Sequence, residues 1–568
     1  MTRLIWAIKE LSMKNNNSKL NVALLIVMFT IAGPVLAQAG TYWVSPTGTA
    51  SWANCSGSTP LSGAAACSLS TANSSLTAGD LVYLRAGTYS TGIAPARSGT
   101  SHTARITYQG YPGETITITA STAISLSSRS YVTVTSVNSN GSYHALVIRN
   151  GSYNIVSYGN FGNYITTNWE LNVIDTNSQY NWIHHNTFHD YGSCNTSDDG
   201  TILDVGNENT SNDTTQYNLL EDNIMYHGGH HVLGLETGYN TVRNNYLHNE
   251  GWQAGYGNRV VYMANQVGNT VAGHNVIEGN RFGFAAKTCE VKVTPSQATM
   301  GIVAMSTPYN IFRYNALYYA SAYTLGTSAY AGTSGSNNRI YNNTMFDAGL
   351  NDKVSPTPID TTTNSGEFAG IYFSSGSSNV VKNNLYSNTV AAHRGSTSSQ
   401  TFATNYDGNT QASPQFVNAN TDATVMDPFN SALPDLHLQS TSPARGTGGA
   451  LTTTTNSGPG TTLTVADSNY FQDGTYAPSY AGVQADWIAV GTPANVVQIV
   501  SINRTSNTLT LASSISWTSG QSVWLYKNSS GVQVLYGSAP DAGAYPYTGA
   551  VTQVKKPLPP ANVTVTAP

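Results

Sequence analysis

A short pattern of polar and apolar positions recurs along the chain from residue 181 onward. Each copy begins with Asn, continues with four residues that are apolar in the middle and polar towards the end, and closes with a second Asn. Seven copies are visible, at 181–186, 218–223, 240–245, 275–280, 310–315, 338–343 and 379–384. The interval between them varies from 22 to 41 residues. A constant motif at a variable interval indicates stacked coils joined by loops of different length.

The pattern is typical of strands rather than helices. β-Branched and aromatic residues are enriched within the copies, as at Val380 and Val381, and Asn occupies the corners. Asn side chains at equivalent corners can pair from coil to coil, with neighbouring strands about 4.8 Å apart. One coil cannot bury its own apolar face, so neighbouring coils must stabilise each other. The sequence therefore predicts an all-β protein, a single parallel β-helix solenoid from about residue 40 to 445.

Both ends of this solenoid resemble a known family. The segments that carry the resemblance are 79–84, 87–89, 98–100, 106–108 and 111–114 at the N-terminal end, and 435–438, 442–444 and 541–545 at the C-terminal end. They resemble the cap, first coil and last coil of secreted bacterial proteins of the pectate-lyase-like superfamily. The resemblance implies a right-handed parallel β-helix with an N-terminal cap. Members of that superfamily are polysaccharide lyases and related glycoside hydrolases.

Strand-like segments interrupt the C-terminal part of this resemblance. They lie at 461–465, 487–491, 496–499 and 508–511, with turn residues between them. We expect a small inserted β-domain over 446–535, a return to the C-terminal cap of the β-helix over 536–550, and a Pro-rich tail over 551–568. The inserted domain either caps an open sheet edge or binds carbohydrate.

The first 39 residues have the features of a secretory signal peptide. Lys14 and Lys19 precede an apolar run over 22–32, and small residues follow up to Ala37 and Ala39. The run is shorter than the roughly 20 apolar residues of a membrane-spanning helix. We therefore expect a secreted protein, extracellular or periplasmic, that is monomeric and leaves the membrane after cleavage.

Cysteine usage agrees with export. Cys55 and Cys67 share one Ser/Gly/Ala-rich loop, which predicts a disulfide between them. Cys194 and Cys289 are far apart in sequence, but stacking of coils can bring them together. None of the four has the spacing of a metal site.

Composition narrows the class of partner. Charged residues make up 9% of the chain, against roughly 25% in an ordinary soluble protein. The balance of 24 Lys and Arg against 29 Asp and Glu argues against nucleic-acid binding. Asn, Ser, Thr, Gly and Tyr must therefore cover the surface, and these groups hydrogen-bond sugars without carrying charge. A polysaccharide is the partner that this composition suggests.

Histidines are concentrated in one part of the solenoid. Eight of the twelve fall between residues 184 and 274, namely His184, His185, His189, His227, His230, His231, His248 and His274. This stretch covers about four adjacent coils, so the cluster is spatial as well as sequential. Either it forms an acid–base surface, or His replaces Asn and Tyr at outward positions. On the first interpretation, His231 is a candidate catalytic residue and His230 a candidate for substrate binding.

Aligning the coils on the first Asn produces columns of equivalent residues. Three positions on, the column reads His184, Glu221, Arg243, Glu278, Arg313, Tyr341 and Lys382. Its alternating charges favour a structural role. Eight positions on, it reads His189, Tyr226 and His248, with Asp190 and His227 beside it and Glu250 and Trp252 just after. We expect the first three to be outward-facing catalytic acid–base groups, and Glu250 and Trp252 to bind a sugar chain.

Carboxylates give a third column. Residues 172–175 and 201–204 align by eye, which predicts that Asp175 and Asp204 lie one rung apart as catalytic carboxylates. That spacing, near 5 Å, is typical of retaining glycosidases. Asp198, Asp199 and Glu236 lie close in sequence and are candidate metal ligands. Calcium is the ion that such oxygens would hold, and no other cofactor is expected.

The family resemblance links these residues to a reaction. Lyases of the superfamily neutralise a uronate carboxylate, remove the adjacent proton with Lys, Arg, His or Tyr, and protonate the leaving oxygen. With Arg259 as a further catalytic candidate and Lys287 as a substrate ligand, we expect a lyase that cleaves a uronic-acid polymer by β-elimination. A glycoside hydrolase with paired Asp and Glu residues is the first alternative. A glycan-binding or adhesin solenoid without catalysis is the second. The working surface is expected on the coils from Asp175 to Arg259, where replacing His231 or His248 should leave the fold intact.

Overall fold

The fold is a right-handed parallel β-helix. The structure is a computed structural model, and it describes residues 39–141, 143–164, 170–191, 200–207, 210–248, 259–264, 267, 269, 271–285, 301–330, 333–349, 366–419 and 433–549. Three long sheets run along it, and each strand pairs in parallel with the equivalent strand of the next coil. The predicted fold class is confirmed.

The three sheets are called A, B and C, in the order in which each coil passes through them. In the described part of the chain, the strands of sheet A are Thr41–Val44, Leu81–Leu84, Ile106–Gly110, Val132–Thr135, Ile155–Ser157, Trp182–His184, Leu219–Glu221, Thr241–Arg243, Val276–Glu278, Ile311–Arg313, Arg339–Tyr341, Val380–Lys382 and Thr401–Ala403. Those of sheet B are Gly87–Tyr89, Ile116–Ile118, Asn138–Ser139, Asn160–Tyr164, Thr187–Tyr191, Ile224–Gly228, Tyr246–His248, Arg281–Ala285, Ala316–Ala320, Thr344–Ala348, Leu385–Thr389 and Tyr406–Asp407. Those of sheet C are Thr122–Ser125, His144–Arg149, Glu170–Asp175, Thr201–Val205, His231–Leu235, Arg259–Met263, Gly301–Met305, Tyr323–Thr327, Ala369–Phe373 and His393–Gly395.

Apart from these sheets and an antiparallel sheet near the C-terminal end, the described residues form only short elements. Helix Leu69–Ser75 belongs to the N-terminal end, and the hydroxyl oxygen of Ser68 caps it by accepting a hydrogen bond from the Thr71 N–H. Single 3₁₀ turns occur at Trp52–Asn54, Gly63–Ala65, Thr397–Ser399 and Ser479–Ala481. Two hairpins pair Ala329–Tyr330 with Thr333–Ser334 and Phe416–Asn418 with Asp435–Leu438. No helix of the described residues is long and apolar enough to cross a membrane.

The interior of the solenoid consists of apolar columns. In sheet A, the middle residue of each strand points inwards, and Ile183, Leu220, Val242, Ile277 and Phe312 lie one above the other at no more than 2% exposure. Sheets B and C contribute equivalent columns to the same core. Each coil therefore buries its apolar face only against the coils above and below it, as the repeat predicts.

Two asparagine ladders hold the corners on either side of sheet A. The Oδ1 atom of Asn218 accepts hydrogen bonds from the backbone N–H and the side-chain amide of Asn181, at 2.9 and 3.0 Å. Asn223 does the same for Asn186 at the second corner. Equivalent bonds continue along both columns, and Gln400 ends the first of them by accepting from Asn379. The predicted amide pairing is confirmed. This pairing supplies acceptors for the backbone N–H groups at the corners, which would otherwise be buried without hydrogen bonds.

The residue before each corner Asn has left-handed backbone geometry. Tyr180 and His185, which precede Asn181 and Asn186, have φ of 56°. Seven aromatic residues at the first of these corners form a column of contacting rings that the sequence did not predict, although His274 belongs to the clustered histidines: Tyr131, Tyr153, Tyr180, Tyr217, Tyr239, His274 and Tyr309. Ring contact offsets part of the cost of the left-handed backbone. The signal was present in the sequence as an aromatic residue directly before the first Asn.

An antiparallel sheet covers the outer face of sheet A. Its strands are Thr452–Thr453, Gly458–Thr464, Trp487–Val490, Val496–Asn503, Thr508–Trp517 and Ser522–Lys527. Residues of both elements share one apolar cluster, in which Val276 and Ile311 of sheet A pack with Phe471 and Ile488. The sheet covers this part of the solenoid. Its position determines whether the charged column of sheet A is buried or exposed.

That charged column is buried and structural. Arg313 is fully buried, where it pairs with Glu278 on the neighbouring strand and with Asp486 of the antiparallel sheet at 2.7 Å. Arg243 pairs with Glu221 at 2.5 Å and donates to the backbone oxygen of Ser529 at 2.8 Å. The charges therefore fasten the antiparallel sheet to the solenoid, which agrees with the structural interpretation of their alternation.

The disulfide predicted between Cys55 and Cys67 is present. It lies at the N-terminal end of the solenoid, where both cysteines are fully buried against Val44 and Leu69. Cys194 and Cys289 lie outside the described residues, so their pairing stays a prediction.

Candidate functional site

The outer face of sheet C carries the densest group of predicted site residues. Leu203, Leu233 and Val261 pair in register and point into the core. The residues that follow them, Asp204, Gly234 and Tyr262, also pair in register and therefore point outwards. On three successive rungs, the outer face of sheet C therefore carries the carboxylate of Asp204, the glycine at 234, which has no side chain, and the aromatic ring of Tyr262.

Two carboxylates meet over the glycine in that column. A β-carbon added to Gly234 would lie 1.9 Å from Oδ1 of Asp204 and 3.5 Å from Oε1 of Glu236. Both oxygens therefore occupy the space that a side chain at 234 would fill. Asp204 is 7% exposed and Glu236 is 6% exposed. The predicted partner of Asp204 was Asp175, and the structure brings it to Glu236 instead.

His231 begins the strand that contains Gly234 and that ends directly before Glu236. Its ring stacks on Tyr262 with centroids 4.6 Å apart, and it contacts the ring of His230 at 3.9 Å. Burial, followed by the nearby His230 and Arg259, holds the pKa of His231 well below its usual value. The imidazole is therefore neutral at neutral pH and able to accept a proton.

Arg259 lies directly opposite His231 in the register of sheet C. Its guanidinium is half-buried and lies 5.7 Å from the ring centroid of Tyr323, two strands further along the same sheet. The contact holds the cation beside an aromatic ring of the same sheet. Asp204, Glu236, His231, Arg259 and Tyr262 are called the sheet C cluster below.

The predicted Asp175–Asp204 pair is wrong. Asp204 pairs with Val173, whereas Asp175 pairs with Arg149 of the preceding strand. Asp175 is therefore displaced from Asp204 by two residues along the strand, about 7 Å, as well as by one rung. The alignment failed because residues 170–174 match 201–205, so Leu203 pairs with Asn172, two positions before the Ile174 that alignment by eye placed opposite it.

Asp175 has a different partner and a different role. Its carboxylate accepts from Nε of Arg149 at 3.2 Å and from the hydroxyl of Thr176 at 3.0 Å. Burial raises the pKa of Asp175, and the Arg149 charge offsets part of that rise. This residue holds an arginine in place and does not belong to the sheet C cluster.

The predicted column of His189, Tyr226 and His248 exists on sheet B. The three rings stack with centroids 5.2 and 4.9 Å apart. Asp190 accepts from Nδ1 of His189 at 2.7 Å and from Nδ1 of His227 at 2.5 Å, and these contacts hold the pKa of Asp190 well below its usual range against the effect of burial. The column therefore forms an ordered His–Asp–His arrangement beside the turn into sheet C.

The exposure of this column differs from the prediction. His248 is 0% exposed and His231 is 5% exposed, so neither is a free outward side chain. Replacing either one removes buried packing, so the outward exposure on which the expectation of an intact fold relied is wrong, and the folding of the two variants stays a prediction. Tyr226 and His189 are half-buried and remain closer to solvent.

A cleft that the sequence did not reveal lies on the same outer face, towards the N-terminal end of sheet C. It has a volume of about 390 Å³ and is lined by Thr122, Ser125, Tyr143, His144, Val147, Arg149 and Glu170. The signal was weak in the sequence, because these residues lie on, or directly before, strands that no Asn motif precedes.

Several predicted residues cannot be compared with this geometry. Glu250, Trp252, Lys287, Asp198 and Asp199 lie outside the described residues. Within the described ranges, no group of three or more His, Cys, Asp or Glu side chains is arranged to hold a metal ion. Asp204 and Glu236 alone are two carboxyl donors, fewer than the six to eight oxygens that calcium takes. The predicted calcium site therefore stays a prediction.

Tyr262 is the residue of the cluster that the sequence analysis missed. It could have been found by aligning the apolar pairs of sheet C, since Val260–Val261 follows Val232–Leu233 and places Tyr262 next to Gly234. The Asn motif could not locate Tyr262, because it marks the strands of sheets A and B and not those of sheet C.

Comparisons with known proteins give distant structural similarities and no family. No family model matches the sequence, and a comparison with curated proteins gives no match. Among solved structures, a PL6-family alginate lyase is similar at 17% identity and a TM-score of 0.38, over 58% of this chain and 49% of that one. Pectate lyase Pel9A is similar at 15% identity and a TM-score of 0.39, over 74% of this chain and 94% of that one. A rhamnogalacturonan lyase is similar at 14% identity and a TM-score of 0.34, over 66% and 90%.

The match spans about half the length of that alginate lyase. Similarities this low carry no conclusion about activity or substrate. The class that the three parallel sheets define is the right-handed parallel β-helix.

Proposed function

We propose that the protein is a secreted polysaccharide lyase that cleaves a uronic-acid polymer by β-elimination on the outer face of sheet C. The observation that carries the proposal is the register of sheet C, which places His231 directly opposite Arg259 on the neighbouring strand, with Glu236 directly after the strand of His231. A base beside a fixed cation is the pair of groups that this elimination requires.

The cluster divides the reaction into three roles. The Arg259 guanidinium binds the uronate carboxylate and lowers the cost of charge building up on the adjacent carbon. His231 accepts the proton from that carbon. The bond to the leaving oxygen then breaks, a carbon–carbon double bond forms, and the Asp204–Glu236 pair supplies a proton to the leaving oxygen. Tyr262 holds the His231 ring by stacking and offers its edge to the sugar.

One observation favours a second function. Asp204 and Glu236 converge over Gly234, and two neighbouring carboxyl groups are also the catalytic unit of glycoside hydrolases. The Asp175–Asp204 pair no longer supports hydrolysis, since Asp175 binds Arg149. The hydrolase alternative now depends on Asp204 and Glu236.

One assay separates the two functions. Purified protein is incubated with polygalacturonate, alginate and rhamnogalacturonan while ultraviolet absorbance and reducing ends are followed together. A lyase produces both signals in equal amounts, because each cleavage creates one unsaturated end. Reducing ends without absorbance would contradict elimination and support hydrolysis. Binding without either signal would support a glycan-binding solenoid.

Matched variants test the roles of the residues. We expect His231→Gln and Arg259→Gln each to lower kcat by about 10² to 10⁴. His393→Gln and Arg394→Gln are the controls, because both residues lie on the last described strand of the same sheet. Equal activity in all four variants would place the chemistry elsewhere.

A further inference from the structure

The cleft at the N-terminal end of sheet C has the features of a built anion site. Arg149 lines it and keeps 45% of its side chain exposed. Its Nε donates to both carboxylate oxygens of Asp175, at 3.2 and 3.3 Å, while Nη1 and Nη2 have no hydrogen-bond partner among the described residues. A guanidinium held at one edge with the other edge open is suited to bidentate binding of a carboxylate.

A second observation points to a ligand in the same cleft. His144 lines it, is 7% exposed, and has an Nδ1 atom without a hydrogen-bond partner in the described part of the structure. Burial, and then the charge of Arg149, lowers the pKa of His144, so its ring is neutral at neutral pH. A buried polar atom without a partner carries a free-energy cost that a bound hydroxyl or water would remove.

The remaining lining residues suit a sugar. Thr122, Ser125 and Glu170 supply oxygens for hydroxyl groups, and Val147 forms an apolar floor. Tyr143 is 43% exposed and meets the His144 ring edge-on at 4.1 Å. The aromatic ring, the hydroxyls and the Glu170 carboxylate suit the hydroxyl groups of a sugar, and the open edge of the Arg149 guanidinium is the part of the lining that favours an acidic sugar over a neutral one.

The position of the cleft links it to the sheet C cluster. His144, Glu170, Thr201 and His231 follow one another in the first position of successive strands, so His144 lies three rungs, about 14 Å, from His231. Both features lie on the same outer face. An extended oligosaccharide that runs along the solenoid axis can therefore contact both, whereas a single sugar cannot.

We propose that this cleft is a remote uronate-binding subsite, in which Asp175 positions Arg149 to hold the carboxylate of a sugar unit distant from the point of cleavage. The inference rests on the proposed function, because that function gives the class of ligand. It does not require that His231 performs the chemistry. It gives Asp175 a positioning role in place of the catalytic role that the sequence suggested.

Calorimetric titration tests the subsite without reference to cleavage. The probes are oligogalacturonates and oligomannuronates of increasing length, titrated into the full chain and into Arg149→Gln. We expect Arg149→Gln to raise the Kd of long oligomers by about 10- to 100-fold and to leave monomers unaffected. The effect should shrink at high salt, because the contact is ionic and partly exposed.

Companion variants distinguish charge, geometry and positioning. Arg149→Lys keeps the positive charge but loses the planar guanidinium that can bind a carboxylate through two hydrogen bonds. It should therefore recover only part of the affinity that Arg149→Gln loses. Asp175→Asn keeps the shape and removes the anchoring charge, and should weaken binding of long acidic oligomers while neutral cello-oligosaccharides stay unchanged. Arg394→Gln, on the same sheet at its other end, is the matched control and should bind like the wild type.

The outcomes separate this inference from the proposed function. Binding that depends on Arg149, in a protein without elimination activity, would keep the subsite and reject the lyase. Elimination with identical Kd and KM in wild type and Arg149→Gln would keep the lyase and reject the subsite. Absence of oligouronate binding to the wild-type chain would also reject it.

Discussion

Asp204 lies directly over Gly234 of the next strand, with its Oδ1 atom where the β-carbon of any larger residue would be. The contact is possible only because residue 234 has no side chain. It fixes the direction of the Asp204 carboxylate and turns it towards Glu236. The carboxylate pair of the sheet C cluster thus depends on a residue that carries no functional group.

Gly234→Ala tests this dependence. The new methyl group would meet Oδ1 of Asp204 at 1.9 Å, so the carboxylate must rotate away. We expect kcat to fall on the order of 100-fold, because small displacements of a catalytic group have effects of that size. Gly366→Ala is the control, since a β-carbon there has no neighbour within 4 Å. A Gly234→Ala variant with wild-type activity would show that the orientation of Asp204 is unimportant.

The asparagine ladder should contribute measurably to stability. Nδ2 of Asn245 donates to Leu220 O and to Oδ1 of Asn280, and its own Oδ1 accepts from Asn223. Asn245→Ala leaves these buried groups without partners and should lower the free energy of unfolding by about 1 to 3 kcal/mol. Urea unfolding measures the change, and Asn140→Ala, at an exposed position, serves as the control. Equal midpoints would contradict the ladder.

The buried Arg313 predicts a large effect at the contact between the solenoid and the antiparallel sheet. Asp486→Asn removes a carboxylate that Arg313 binds at 2.7 and 2.8 Å in a fully buried site. Breaking a buried pair in this way costs about 3 to 5 kcal/mol. Asp467→Asn removes the partner of Arg339 in a more exposed pair and should cost about 1 kcal/mol or less. Thermal unfolding and limited proteolysis near residue 486 should separate the two variants.

His274 makes the protein sensitive to acid. Burial, and then Arg504, lowers the pKa of His274 to about 4, whereas an unfolded His titrates near 6.5. Since the folded pKa is the lower one, the unfolded state binds more protons below pH 6.5. The stabilising contribution of the neutral ring is therefore present above pH 6.5 and is lost as the pH falls from there towards 4.

His274→Tyr should remove this part of the acid sensitivity. The ring of His274 stacks between Tyr239 and Tyr309 at 4.8 and 4.9 Å, and tyrosine already occupies the equivalent position in neighbouring coils. Melting temperatures measured from pH 7 to 4 should fall less steeply in the variant than in the wild type, with little change at pH 7. Parallel curves would mean that His274 does not titrate between the two states.

The Asn motif was sufficient to predict sheets A and B. The motif is only six residues long, so its internal spacing does not depend on the length of the loops between coils. The paired amides, the alternation of charge in sheet A and the register of His189, Tyr226 and His248 all follow from it. The Cys55–Cys67 disulfide was equally local.

Sheet C was decided by the tertiary structure. Its strands carry no Asn motif and follow loops of unequal length, so alignment by eye placed Asp175 opposite Asp204 when the pairing requires Val173. Two successive residues, such as Val232 and Leu233, both face the core and break the period of two on which the alignment relied.

Burial also lay beyond the sequence. The chain itself determined which residues occupy each column, because side-chain order within a strand is a local property. Which columns meet solvent depended on contacts between residues hundreds of positions apart. Asp486 buries Arg313 across 173 residues, and Tyr480 reaches back across 300 residues to the backbone of Tyr180. No local pattern encodes such contacts, since they exist only after the solenoid has formed and the antiparallel sheet has packed against it.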